Sequence, residues 1–345
     1  PQMPLIPLLP VIPWSSAATL WIGHVVSLLL VICLLLVIVL PERCRRAWWL
    51  ISGCLIMSFL VDQHRLQPWA YQSSIYAMLF ASMDRVAARR WLIPLAASVY
   101  LYSAAGKFDY QFAHTVGQDF LRAATDPIGG IPGQPDAPVN VRLALLFPAI
   151  EFVAGVGILF TRTRRTAATL LIGMHLGLIA ILGPWNRDHS HGVLLWNGLL
   201  IAQAFLLLMR EPQPSDAIET DGAGQPEASW AARISAVAVR LIIVAAIVAP
   251  LLERRGYWDH WTSWSLYAPH TSHVDIEVHQ SAIDRLSPVL QGFFRDDTDH
   301  DGWLVLDAGS WSLAARRVPV YPQARYQLAL AADLAGRYGL NDEIR

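Results

Sequence analysis

The sequence predicts an all-α, polytopic membrane helix bundle of about eight spans with a small C-terminal α+β domain. Three observations lead there. Hydrophobic residues make up 54% of the 345 residues and charged residues only 15%, against roughly 25% charged in an average soluble domain. The apolar residues come in blocks, and mean hydropathy is +0.38. After Leu252 the composition turns into that of a soluble domain. The lipid bilayer is therefore the first partner expected. A net charge of -1 leaves no basic footprint for nucleic acid, and none is expected as a partner.

The first block, Leu20–Leu40, is long and nearly pure, and it ends in Pro41-Glu42-Arg43-Cys44-Arg45-Arg46. A secretory signal has a core of roughly 7–15 apolar residues with positive charge in front. Here the charge follows, so the block is expected to stay in the membrane. Ala47–Val61, Trp69–Met83 and Trp91–Ala105 are shorter than the roughly 20 residues of a spanning helix. Their Trp- and Tyr-rich ends suit interfacial anchoring, which keeps them as spans. Leu143–Phe160, Thr166–Gly183, Gly192–Met209 and Ile234–Leu252 follow at better length. Residues 1–90 thus form N-terminal membrane helices, 91–209 a membrane core and 234–252 the last span. Between the last two lies a linker at 210–233, whose Glu211–Ser229 stretch is polar and rich in Pro, Gly and Asp. Pro1 in place of Met suggests that the N-terminus lies further upstream.

Basic residues set the orientation. Arg43, Arg45 and Arg46, then Arg85, Arg89 and Arg90, then Arg162, Arg164 and Arg165, then Arg210 and Arg233 fall in the odd-numbered connections. Short-loop arginine excess faces the cytoplasm, so both termini are expected outside, in a plasma or inner membrane. The tail at 253–345 is then exoplasmic. Its opening Tyr257-Trp258 and Trp261 to Trp264 read as a headgroup anchor. In the tail, His273–His279 alternates with Val274, Ile276 and Val278 on one face, as a half-buried strand does. Trp303–Asp307 reads as a second strand, and Ser281–Phe294 and Pro322–Tyr338 as helices.

Of the 26 basic residues, Lys107 is the one lysine. Lysine can serve as a base or Schiff-base former, which arginine cannot; otherwise it snorkels, here held by Asp109. Glu151 and His175 fall at similar depth on two helices of a hairpin, and ionisable groups in mid-bilayer are functional candidates by default. A Glu151–His175 hydrogen bond would relay protons, hold a quinone-like headgroup, or lock the helices together. Gly155, Gly157, Gly173 and Gly177 would allow close helix approach. In the outer connections, His189 and His191, with His64 and Asp62, offer imidazole and carboxylate ligands for a metal or a hydrogen-bonded mouth. Asp297, Asp299, Asp301 and Gly302 match the first half of a calcium loop, but Ala308 stands where its closing Glu belongs. Cys33, Cys44 and Cys54 form no CxxC and suit neither a disulfide framework nor a thiol relay.

Ser103-Ala-Ala-Gly-Lys107-Phe, then Phe147-Pro148-Ala-Ile-Glu151-Phe-Val-Ala-Gly155 and Gly157-Ile-Leu, resemble the MauE/DoxX group of redox-associated membrane proteins over Tyr100 to about Trp196. That resemblance implies a DoxX-like four-helix core that assists electron transfer or maturation of an exported redox partner, with quinone as a possible cofactor. Tyr100–Lys107 is also similar to the span end of the HTTM and vitamin K-dependent carboxylase-like group, where such a lysine belongs to the active site. That implies a membrane enzyme with Lys107 as base at an outward cavity walled by Asp62, His64, His189 and His191. A non-catalytic scaffold acting through its C-terminal domain is the third reading, so whether the chain is an enzyme stays open at this point.

Overall fold

The computed structural model describes residues 3–9, 16–40, 44–131, 134, 137–209, 230–270, 272–295, 300–340 and 342–345. The linker stretch Glu211–Ser229, and Asp297 and Asp299 of the calcium-type loop, lie outside the described residues. The chain is mostly helical, and all eight apolar blocks fold as helices: α1 (Ser16–Val39), α2 (Arg45–Val61), α3 (Pro68–Ser82), α4 (Arg85–Ala105), then short α5 (Tyr110–His114), α6 (Val116–Thr125) and α7 (Pro138–Ala144), followed by α8 (Leu146–Leu159), α9 (Arg164–Leu182), α10 (His191–Gln203) and α11 (Trp230–Val248). A π-helical turn, Ala204–Met209, extends α10, and a 3-10 turn, Ala249–Arg255, extends α11.

Five helical stretches among the described residues are long and apolar enough to cross a membrane: Thr19–Val39, Pro138–Leu159, Arg164–Leu182, His191–Met209 and Trp230–Arg255. The other three blocks fall short for separate reasons. Helices α2 and α3 have 17 and 15 residues, and α4, at 21 residues, opens on Arg85, Arg89 and Arg90.

The chain divides into two compact units. One comprises Ser27–Leu55 and Pro68–His270 and holds most of the helices. Its core has two main parts. In the first, Ile75 and Leu79 of α3, Leu95 and Val99 of α4, and Val239 and Ile243 of α11 pack together with Trp264. Trp264 is wholly buried and lies 5.1 Å from the Tyr71 ring, so this member of the tryptophan cluster is a core residue and not a headgroup anchor. In the second, Ala96, Ala97 and Tyr100 of α4 meet Ala154 and Ile158 of α8 and Ala168 and Leu171 of α9.

Close approach in this second part depends on two glycines. A Cβ at Gly155 would sit 3.1 Å from the Tyr100 Cβ, and one at Gly157 would sit 3.0 Å from the Ala167 Cβ. Gly173 and Gly177, expected to do the same, have nothing within 4 Å of where a Cβ would stand. The α8–α9 contact is thus set from the α8 side.

The other unit comprises Pro1–Val26, Ile56–Gln67 and Thr271–Arg345. It contains a three-stranded antiparallel sheet in the order β1 (Glu277–His279), β3 (Trp303–Leu306), β2 (Phe294–Arg295). Its helices are α12 (Pro288–Gln291), α13 (Ala308–Arg316) and α14 (Ala324–Tyr338). The alternation read from the sequence holds, with Ile276 and Val278 buried and Asp275 exposed. The strand is shorter than expected because the Val274 amide donates to the Gln327 side chain of α14 instead of a strand partner. The expected helix over Ser281–Phe294 breaks into a 3-10 turn, Gln280–Arg285, and α12, because Pro288 disfavours helical backbone just before it. Phe294 then enters β2.

Candidate functional site

Helix α4 is capped at its start by Asp84, whose carboxylate accepts from the Ala87 amide at 2.7 Å, and at its end by Gly106. Lys107 therefore stands just beyond the helix, one turn after Ser103. Gly155 lets α8 lie directly against Tyr100 and Leu101, which brings Glu151, one turn earlier on α8, level with Lys107. Lys107 Nζ donates to Glu151 Oε2 at 2.7 Å and to Ser103 Oγ at 2.8 Å. Both charged side chains are buried, at 9% and 10% exposed. Lys107 thus pairs with Glu151 and not with Asp109, which caps α5 by accepting from the Phe112 amide at 2.7 Å.

His175 does not make the bond to Glu151 that their similar depth predicts, because its two ring nitrogens face Asn197 and Tyr100. Instead, Asn197 Oδ1 lies 2.8 Å from His175 Nδ1, and the Tyr100 hydroxyl lies 3.0 Å from His175 Nε2. Asn197 Nδ2 donates to the Val193 carbonyl at 2.9 Å, which fixes its oxygen toward the imidazole. A carbonyl oxygen only accepts, so Nδ1 carries the proton and Nε2 receives the Tyr100 hydroxyl proton. The result is a directed chain from Tyr100 through His175 to Asn197. Glu151 is close enough to Tyr100 and His175 to act on both electrostatically.

A second buried polar group lies between α3 and α10. Trp196 Nε1 donates to Gln72 Oε1 at 2.8 Å, Gln72 Nε2 donates to the Tyr76 hydroxyl at 2.8 Å, and Tyr76 donates to Gln203 Oε1 at 2.7 Å. Gln203 immediately precedes the π-helical turn, and such turns often accompany functional sites. The sequence signal for Gln72 and Gln203 was available, since each is an amide in an apolar block, but neither carries charge. Tyr76 acts electrostatically on Tyr100, so the two groups are neighbours in the bundle.

The outer-loop residues are divided between the two units. Asp62 is fully buried and ion-paired to Arg316, which also donates to the Met3 and Pro4 carbonyls at 2.9 and 2.8 Å. His64, in the same unit, has Nε2 2.8 Å from the Pro319 carbonyl, beside Ser312. Burial depresses the His64 pKa, with the Arg316 charge adding to it and outweighing the Pro319 hydrogen bond and Asp62. His189 and His191 belong to the other unit. His189 Nδ1 accepts from the Ser190 amide at 2.8 Å, burial lowers its pKa, and His191 is exposed at the start of α10. Asp301 accepts from the Trp303 amide at 2.9 Å and from Arg345 at 2.7 Å, as a structural turn residue would.

Three metal-ligating side chains do converge elsewhere. Glu253, His260 and His270 each bring a ligand atom to within 4.8 Å of the others, the one such group among the described residues. Comparison with protein-family models, with curated proteins and with solved structures finds no match to this chain.

Proposed function

We propose that this chain is a multi-pass membrane protein of the redox-associated, MauE/DoxX-like type, in which the polar cluster at Lys107, Glu151, Tyr100 and His175 handles protons at a quinone-like headgroup on behalf of an exported redox partner. The buried Lys107–Glu151 ion pair, 2.7 Å apart, is the observation that carries this reading. Ionisable residues within apolar spans are costly and are kept chiefly at ion, proton or ligand sites. The pair is also adjacent to a hydrogen-bond chain with a defined proton direction, which a simple helix lock does not need. A carboxylate–ammonium pair and a phenol–imidazole pair are together suited to donate to one quinone oxygen and to exchange a proton as its charge changes.

Orientation follows from the arginine distribution: both termini lie outside, in the plasma or inner membrane, and Lys107 stands near the outer end of the fourth span. The rival reading, a membrane enzyme with Lys107 as base, keeps one favourable observation. Ser103 and Lys107 are hydrogen-bonded one turn apart, an arrangement that could position a nucleophile and its base. Of the residues expected to wall its cavity, Asp62 pairs with Arg316 and His64 faces the Pro319 carbonyl.

Titration of the purified full chain with a soluble short-chain benzoquinone or naphthoquinone, followed by tryptophan fluorescence, tests the redox reading. Binding should be saturable in the wild type and lost in Glu151→Gln and in the charge-free Lys107→Met/Glu151→Leu pair, which is expected to fold. Undiminished binding in the charge-free pair rejects the site.

A further inference from the structure

We propose that Glu253, His260 and His270 bind a divalent cation of the zinc class at the end of the last apolar helix, a site independent of the Lys107–Glu151 reading. The three residues come from three backbone segments that the local sequence folds together. Glu253 lies in the 3-10 turn Ala249–Arg255, which stops at Gly256 with φ +76. A left-handed residue costs glycine nothing, and it turns the chain so that His260, seven residues on, faces back onto Glu253. His270 arrives from the loop that follows Trp264. Gly106 makes room for it, because a Cβ there would sit 3.3 Å from His270 Cε1 and 3.0 Å from the Ala268 Cβ.

Each imidazole addresses a different oxygen of the one carboxylate. His260 Nδ1 is 2.9 Å from Glu253 Oε1, and His270 Nε2 is 3.3 Å from Oε2. A tetrahedral zinc with ligands at about 2.0–2.1 Å has ligand–ligand edges of about 3.3–3.4 Å. The three ligand atoms all lie within 4.8 Å of one another, so the trio reaches that spacing by drawing in around the ion. Two imidazoles and one carboxylate match the three-ligand sets that leave a fourth position for water or substrate. Nitrogen-rich ligation of this kind selects zinc and its first-row neighbours over calcium and magnesium.

A second observation points the same way. His270 Nδ1 is buried and makes no hydrogen bond, yet it faces Asp109 Oδ2 at 3.5 Å. Metal on Nε2 places the proton on Nδ1 and aims it at this carboxylate, giving the carboxylate–histidine–metal arrangement that orients such ligands. Asp109 meanwhile stays fixed by its cap to α5.

The full chain, carrying an affinity tag without histidines, is stripped with chelator, equilibrated with zinc and desalted. The expected result is one zinc retained per chain, lost in Glu253→Gln and His270→Asn and kept in His189→Asn. Asp109→Asn, which preserves the helix cap, should weaken zinc binding by about 10–100-fold. Should the ligand variants fail to fold, the wild type still decides: zinc must raise its melting temperature progressively with concentration. No retained zinc together with a flat melting temperature overturns the site, and so does retention undiminished in Glu253→Gln and His270→Asn.

Discussion

Removing one half of the Lys107–Glu151 pair is expected to cost far more than removing both. At 2.7 Å the attraction between unit charges is about 6 kcal/mol for an effective dielectric of about 20. With the side chains 9% and 10% exposed, little water is available to replace a lost partner. Against that attraction stands the desolvation of two charges, several kcal/mol each, so the intact pair contributes little net stability. Lys107→Met leaves Glu151 charged and buried, and Glu151→Leu leaves Lys107 with Ser103 alone. Each change should cost about 3–5 kcal/mol. The double variant removes both charges and fills the site with apolar atoms, so it should lie within about 1 kcal/mol of the wild type. Unfolding of the purified protein in mixed micelles, titrated with a denaturing detergent, gives the four corners of the cycle. Single losses below about 1 kcal/mol, or a double variant as unstable as the summed singles, would refute the reasoning.

Four further outcomes follow from the geometry. Gly155→Ala puts a methyl 3.1 Å from the Tyr100 Cβ and 3.2 Å from Leu101 Cγ and should destabilise by about 1–3 kcal/mol through overpacking. Gly173→Ala, with open space around it, should be neutral or stabilising by up to about 1 kcal/mol in the same assay. Tyr100→Phe leaves His175 Nε2 buried without its donor, which should cost about 1–3 kcal/mol in a thermal melt; an unchanged melt would show that the bond is not formed. His64 is buried and held below its ordinary value of 6.5. As pH falls through that value the unfolded chain takes up a proton that the folded chain refuses. Protease resistance of the C-terminal segment should therefore fall on acidification and level off once pH passes below the folded value. The dependence should disappear in His64→Gln, and resistance that rises on acidification would contradict the assignment.

The eight apolar helices were legible in the sequence because an apolar block and its arginine borders report on local physics, whereas short α5, α6 and α13 carry no such block. The membrane-length criterion separates α2, α3 and α4 from the rest for equally local reasons, length in two and arginines in the third. The partner of Lys107 was not legible. Asp109 is two residues away and Glu151 is 44, and the choice between them depends on Gly155 seating α8 at Tyr100. The Glu151–His175 bond failed for the same reason: depth in a hairpin fixes height, not which face of the helix a side chain takes. Glu253, His260 and His270 escaped notice because turns, not a regular helix or strand, set their spacing. Glu253 also sits beside Arg254 and Arg255, where an acidic residue reads as part of an ordinary charged span end. In the tail, alternation marked β1 and the short apolar run Trp303–Leu306 marked β3, while β2, two residues long, has no pattern to detect.

The most direct test of a functional role for the bundle's polar cluster is Lys107→Arg in the native host, with membrane abundance and quinone binding followed beside the host phenotype. Arginine keeps the positive charge facing Glu151 but replaces a compact ammonium by a planar guanidinium that does not give up its proton. The expected result is an abundant, folded protein that no longer binds quinone and whose host matches a full deletion. Normal abundance together with normal quinone binding and an unaffected host would contradict the claim and leave Lys107–Glu151 as a lock between α4 and α8.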